Sequence, residues 1–197
     1  MGYLGILDQS PQGIMDAESP SQIVIAGESV GGNLTLALTR CLVDNPIPSL
    51  LTPSGILLLP PWCDLGPSHQ KPGSSAYLFG NSDFLVPPGK KGTGGWATTS
   101  VLGSAAAKTN IYLLPASHHV ANGGYKAFLP SFIVAGGAEL LYDQIAALKE
   151  RMEADIGKNN LRYFEAKDGV HDYLVFPWHE PERSQTLRAI AEWISGL

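Results

Sequence analysis

Charge is what this chain has little of. Asp, Glu, Lys and Arg make up 16% of its 197 residues and the net charge is -5. Such a surface offers no basic stripe for nucleic acid and no polybasic patch for an anionic membrane, so small molecules are the expected partners. Cysteine is nearly absent. Cys41 and Cys63 have no metal-ligand spacing, which excludes a disulfide framework and a cysteine-based metal site, and both are expected to be buried thiols. No apolar run reaches the roughly 20 residues of a membrane span, and no charged-then-apolar leader pattern is present. The compartment stays open, with the cytoplasm favoured. There is no internal repeat. Gly (22) and Pro (15) are plentiful, which suits a loop-rich α/β architecture whose functional loops sit at strand ends. The length fits one domain over 1–197.

Read in order, Met1 to Ser21 looks like the end of a helix and a linker. Ile23 to Ala26 predicts a strand, and the period from about Gly31 to Val43 predicts a helix that Asp44-Asn45-Pro46 ends. Gly55 to Leu59, stopped by Pro60-Pro61, and Ser131 to Ala135 are continuous apolar runs of the kind buried on both faces of a parallel sheet. A helix from about Leu140 to Asp155 places Leu141, Ile145, Leu148 and Met152 on one face. Leu161 to Glu165 alternates like a strand nearer an edge, and Pro181 to Ile194 reads as an amphipathic helix. Residues 62–108 are rich in Gly, Ser and Pro, with Tyr77-Leu78-Phe79 and Asp83-Phe84-Leu85 as their apolar clusters. They predict a cap or lid of short helices, the alternative being a disordered insertion. The order β-α-β-(cap)-β-α-β-α implies a mostly parallel sheet with flanking helices.

Between the first strand and its helix stands Gly27-Glu28-Ser29-Val30-Gly31. A Gly-x-Ser-x-Gly at a strand-to-helix turn is a nucleophile elbow, with the serine hydroxyl clear of the sheet. Gly27 and Gly31 are expected where side chains would collide, and Gly32 where the helix starts tight against the sheet. The helix N-terminus beneath the serine favours an oxyanion.

A serine hydroxyl needs an imidazole to take its proton, and the imidazole needs a carboxylate to fix its tautomer. His171, in the loop after Leu161 to Glu165, is the candidate base. His69, His118, His119 and His179 are expected on the surface or in the lid. Glu139, just past the end of Ser131 to Ala135, is the preferred acid. Asp143, one helical turn further in, is the alternative acid or a loop-bracing charge, while Asp168 and Asp172 read as turn formers.

Gly-Glu-Ser-Val-Gly-Gly-Asn-Leu (27–34), Ala-Gly-Gly-Ala-Glu-Leu-Leu-Tyr-Asp (135–143) and Asp-Gly-Val-His-Asp (168–172) together resemble the hormone-sensitive-lipase branch of the α/β-hydrolases, most of all its fungal esterase-type members. The likeness runs from about Ser21 to the C-terminus and is weakest between Gly66 and Lys108. It implies a carboxylesterase for short acyl or acetyl esters with Ser29 as nucleophile, His171 as base, Glu139 where many members carry Asp, Val30 N–H as one oxyanion donor, and no metal or cofactor. A non-catalytic remnant and a serine peptidase of the same fold are the alternatives. The His-Gly-Gly-Gly segment and the first strands of the family do not occur before Ser29, so the expectation is a partial fold, impaired in turnover, that self-associates through an open strand edge.

Overall fold

The computed structural model describes residues 23–47, 52–87, 109–121 and 124–197, with single positions at 98 and 100; the segment from Met1 to Ser21 and most of 88–108 lie outside the described residues. Four short apolar runs form one parallel sheet, β1 (Val24–Ser29), β2 (Gly55–Pro61), β3 (Ser131–Gly136) and β4 (Leu161–Ala166), in the order β1-β2-β3-β4. The register pairs Ile25 with Ile56, Ile56 with Ser131 and Ser131 with Leu161, so the strands end together on one side. Between and after them lie α1 (Val30–Asp44), the short α2 (Ser75–Leu78), α3 (Tyr142–Ile156) and α4 (Glu182–Ile194).

Alternation along the strands sorts the core into two layers. Ile56 and Leu58 of β2 and Ile133 and Ala135 of β3 face Leu36 of α1 and Ile145, Leu148 and Met152 of α3. Their neighbours Leu57, Phe132 and Val134 face the opposite way, against Tyr173 and Ile190, with Trp193 of α4 packed edge-on to Phe132. The expected stripe on α3 is therefore a core stripe: Ile145, Leu148 and Met152 are completely buried, each side chain contributing about 1.5–3 kcal/mol of transfer free energy. Leu141 packs beside them from the residue before the helix.

The elements sit where expected, with shifted ends. β1 continues through the elbow to Ser29, and β2 does not stop before Pro60-Pro61 but runs through them, with a register irregularity opposite Glu28 and Ser29. Proline is tolerated there because the register is already breaking and Trp62 N–H closes the strand end onto Ser29 C=O at 2.8 Å. Among the described residues β1 is an outer strand of this sheet, and its Ala26 and Glu28 are exposed. One of the two thiols differs from expectation. Cys63 is buried and donates to Gln144 C=O, but Cys41 is exposed, because it lies on the outward face of α1.

Of the irregular region, 62–87 is described: it holds α2 and a series of turns. It is bolted to the rest through polar contacts. Asn33 Nδ2 of α1 donates to Trp62 C=O and Leu113 C=O at 3.0 and 3.1 Å, and Ala116 N–H donates to Cys63 C=O at 2.9 Å.

Candidate active site

Three loops leave the strand ends on the same side, and each delivers one group. Ser29 closes β1 and opens α1 with φ 51° and ψ −116°, a backbone region that a non-glycine residue enters only under strain. The turn is enforced by close approach. A Cβ on Gly27 would stand 2.1 Å from Gly31 O, and one on Gly32 would stand 2.6 Å from Pro61 Cβ. Gly31 differs from expectation: a Cβ there would meet nothing within 4 Å, because that position of α1 points away from the sheet. Val30 is the first residue of α1, so its N–H belongs to the helix's unpaired donors.

Glu139 enters from the turn after β3. It is fully buried, its Oε1 accepting from Gly136 N–H at 2.9 Å. His171 enters from the loop after β4, and the approach of the two loops requires Gly136 and Gly169, since a Cβ on Gly136 would stand 2.4 Å from Gly169 O. His171 Nδ1 lies 2.8 Å from Glu139 Oε2 and its Nε2 lies 3.0 Å from Ser29 Oγ. The structure thus brings Ser29, His171 and Glu139 into one hydrogen-bonded line. Asp143 is not in it; its Oδ2 accepts from Ser75 N–H at 3.0 Å, bracing the irregular segment against the start of α3.

The electrostatics follow from burial. Burial pushes the His171 imidazole towards its neutral form, but the hydrogen bond and charge of Glu139, with Asp172 and Asp83 nearby, outweigh it and hold the pKa above the ordinary 6.5. Burial also favours the neutral form of Glu139, which for a carboxyl raises the pKa, opposed by the bonds from His171 and Gly136 N–H.

Asp172 was expected as a turn former, and it does turn the chain, with φ 50°. Its carboxylate does more: Oδ2 lies 3.2 Å from His171 Nε2, on the nitrogen that also faces Ser29, while Oδ1 is buried with no hydrogen-bond partner among the described residues. Burial and the neighbouring Glu28 carboxylate push Asp172 up to about 7. Sequence spacing did not reveal this, because the left-handed backbone at Asp172 folds the side chain back over the preceding imidazole. Asp168 is exposed. Among the other histidines, expected on the surface or in the lid, His69 lies in the 62–87 segment and is buried: Nε2 lies 3.0 Å from Ala116 O, and its ring stands 4.2 Å from that of His118. His118 and His119 are exposed and His179 is half-buried. Among the described residues no group of His, Cys, Asp and Glu could hold a metal ion, and no helix is long and apolar enough to cross a membrane.

A parallel sheet carrying a serine on a strained strand-to-helix turn, met by a histidine and a carboxylate from the following strand ends, defines the α/β-hydrolase class. The chain belongs to the alpha/beta hydrolase fold family, whose model matches residues 7–175. Solved structures it is similar to include esterases and lipases. A hormone-sensitive lipase from a metagenome library superposes with a TM-score of 0.75 at 23% identity, over 98% of this chain and 57% of that one. EstE5, soaked with p-nitrophenyl butyrate, gives 0.70 at 24% over 98% and 56%. A fungal esterase from Rhizomucor miehei gives 0.73 at 17% over 90% and 50%. The chain therefore spans little more than half the length of the structures it matches. No curated protein matches it in sequence.

Proposed function

We propose that the protein is a carboxylic ester hydrolase for short acyl or acetyl esters, working through an acyl-enzyme on Ser29. The single observation that carries this reading is the line from Ser29 Oγ through His171 to Glu139, at 3.0 and 2.8 Å. Ser29 Oγ adds to the ester carbonyl as His171 Nε2 accepts its proton, and the Glu139 carboxylate stabilises the imidazolium through Nδ1–H. The tetrahedral oxyanion develops over Val30 N–H at the start of α1. Nε2 then returns the proton to the departing alkoxide as the C–O bond breaks, leaving the acyl group on Ser29. Water repeats the sequence, giving its proton to Nε2 while its oxygen adds to the acyl carbon, and the carboxylic acid leaves as Ser29 regains its hydrogen. No step calls for a metal or cofactor.

The fold relatives are esterases and lipases by name, and EstE5 was soaked with a short-chain ester, which favours ester over amide substrates. Segment 62–87 is read as part of the cap. Val30 N–H carries weight in this reading, since losing one such donor typically costs about a hundred- to a thousandfold. The test is hydrolysis of p-nitrophenyl acetate and butyrate by the purified chain beside Ser29→Ala. A Ser29-dependent rate on the esters, with none on peptide p-nitroanilides, is the expected result. A rate that survives Ser29→Ala overturns the proposal, and hydrolysis of the anilides moves it to the peptidase alternative.

A further inference from the structure

The side of His171 that faces the irregular segment carries three aromatic rings. Phe84 stands with its ring centroid 5.9 Å from that of His171 and tilted by 43°; Phe176 meets Phe84 edge-on at 5.7 Å; Trp178 stacks on Phe176 at 5.0 Å. Phe84 and Trp178 are 57% and 75% exposed, so the row turns two of its three rings outward. Phe84 is held in place by its neighbour. Asp83 is a buried carboxylate whose Oδ2 accepts from Leu140 N–H at 2.7 Å, directly beside Glu139, and whose Oδ1 accepts from Leu85 N–H at 3.3 Å. The ring is therefore fixed to the same loop that positions the carboxylate of the Ser29 line. Ser75 adds to this clamp, its Oγ donating to Leu140 C=O at 3.0 Å.

The chemistry of acyl transfer says which part of a substrate meets this row. His171 Nε2 must hand its proton to the leaving oxygen, so the alcohol half of the ester departs across the imidazole, while the acyl half stays on Ser29. A ring tilted against the imidazole is thus placed to meet the alcohol half. We infer that Phe84, Phe176 and Trp178 form the alcohol-side subsite and select esters whose leaving group is an aromatic or other flat, bulky apolar alcohol. Phe84 is the ring of the three that stands beside His171, and it sets this preference. Phe176, half-buried, supports it, and Trp178 extends the row outward for larger groups. The inference rests on the proposed ester hydrolysis for its orientation, and on the aromatic row for its substrate class.

The experiment compares the full chain with Phe84→Ala and Trp178→Ala, both exposed positions whose truncation leaves the core intact. Initial rates are taken on 1-naphthyl acetate and ethyl acetate, and binding of 1-naphthol is titrated by calorimetry. An offset or edge-on aromatic contact corresponds to about a two- to tenfold change in affinity. Phe84→Ala is expected to lower kcat/KM on 1-naphthyl acetate by about that factor, leave ethyl acetate within about twofold, and weaken 1-naphthol binding in parallel. Trp178→Ala should act in the same direction, more weakly. An equal loss on both esters, or 1-naphthol binding that is absent from the parent chain or unchanged in Phe84→Ala, overturns the assignment. Hydrolysis that persists in Ser29→Ala instead strikes the proposed mechanism; the 1-naphthol titration, which needs no turnover, then still decides the subsite.

Discussion

Replacing Glu139 by Gln changes one atom of the buried line and leaves its volume intact. The parent carboxylate accepts twice, from Gly136 N–H through Oε1 at 2.9 Å and from His171 Nδ1–H through Oε2 at 2.8 Å. An amide has one acceptor and one donor group for those two donors. If its oxygen keeps Gly136 N–H, its NH2 faces Nδ1, which can then only accept, and the proton moves to Nε2. That tautomer points a donor at Ser29 Oγ, and the base is lost. If the amide flips, its NH2 confronts Gly136 N–H, a buried donor–donor clash that costs on the order of 1–3 kcal/mol. The first arrangement wins, and the loss is that of a wrong tautomer, about a thousand- to ten-thousandfold in turnover. The assay is the rate of Ser29 labelling by a fluorophosphonate, with initial hydrolysis of p-nitrophenyl acetate where it is measurable and circular dichroism to confirm folding. Asp143→Asn is the control, because Asp143 meets Ser75 and not His171, and about tenfold or less is expected from it. A loss under tenfold for Glu139→Gln, or a larger loss for Asp143→Asn, would refute the reasoning and move the acid elsewhere.

Further outcomes follow from the same geometry. Because the base must be neutral and His171 is held above its ordinary value, kcat/KM should rise with pH through a midpoint above 6.5; Asp172→Asn removes one of the charges that holds it there, so the acidic limb should move to lower pH in a rate–pH profile. For stability, the folded Asp172 sits at about 7 against an ordinary 3.8, so the folded chain binds that proton more tightly, and the advantage, full below 3.8, fades as pH rises through about 7. Urea midpoints of Asp172→Asn relative to the parent should accordingly improve from pH 5 to pH 8. Gly27→Ala, which forces Cβ against the Gly31 carbonyl, should prevent folding or lower the urea midpoint sharply, whereas Gly31→Ala, with open space at Cβ, should leave it nearly unchanged. Leu148→Ala should cost about 2–5 kcal/mol in the same measurement, as a fully buried core truncation. Light scattering should find self-association of the isolated chain through the outer edge of β1, and a monodisperse monomer would count against it.

What could be read before the structure was whatever repeats along the chain with a period or a fixed local pattern. The alternation of Ile56-Leu57-Leu58 and of Phe132-Ile133-Val134 between the two layers is a property of strands, and the stripe of Ile145, Leu148 and Met152 is a property of helices, so both are visible in one dimension. The nucleophile elbow was equally legible because its Gly-x-Ser-x-Gly-Gly pattern falls within six residues, although only the folded contacts, one of them with the remote Pro61, separate Gly27 and Gly32, which are crowded, from Gly31, which is not. The preference for Glu139 over Asp143 came from distance to the strand end, and that geometry is what sets the 2.8 Å contact to His171. What could not be read depends on contacts between residues remote in sequence or on a reversed backbone. Asp172 faces Nε2 only because its φ is 50°, and His69 is buried only because the segment around Ala116 folds over it. Phe84 lies in a stretch with no period, and its place beside His171 depends on Asp83 reaching Leu140, 57 residues away.

The central claim is that Ser29 is the atom-bearing nucleophile of a serine hydrolase, and covalent labelling tests it without relying on substrate choice. The full chain is treated with a fluorophosphonate, its intact mass is measured, and the modified peptide is sequenced. The account predicts one phosphonyl adduct per chain, on Ser29, slowed as pH falls through the titration of His171 and absent from Ser29→Ala. An adduct on any other residue, or full labelling of Ser29→Ala, would contradict it.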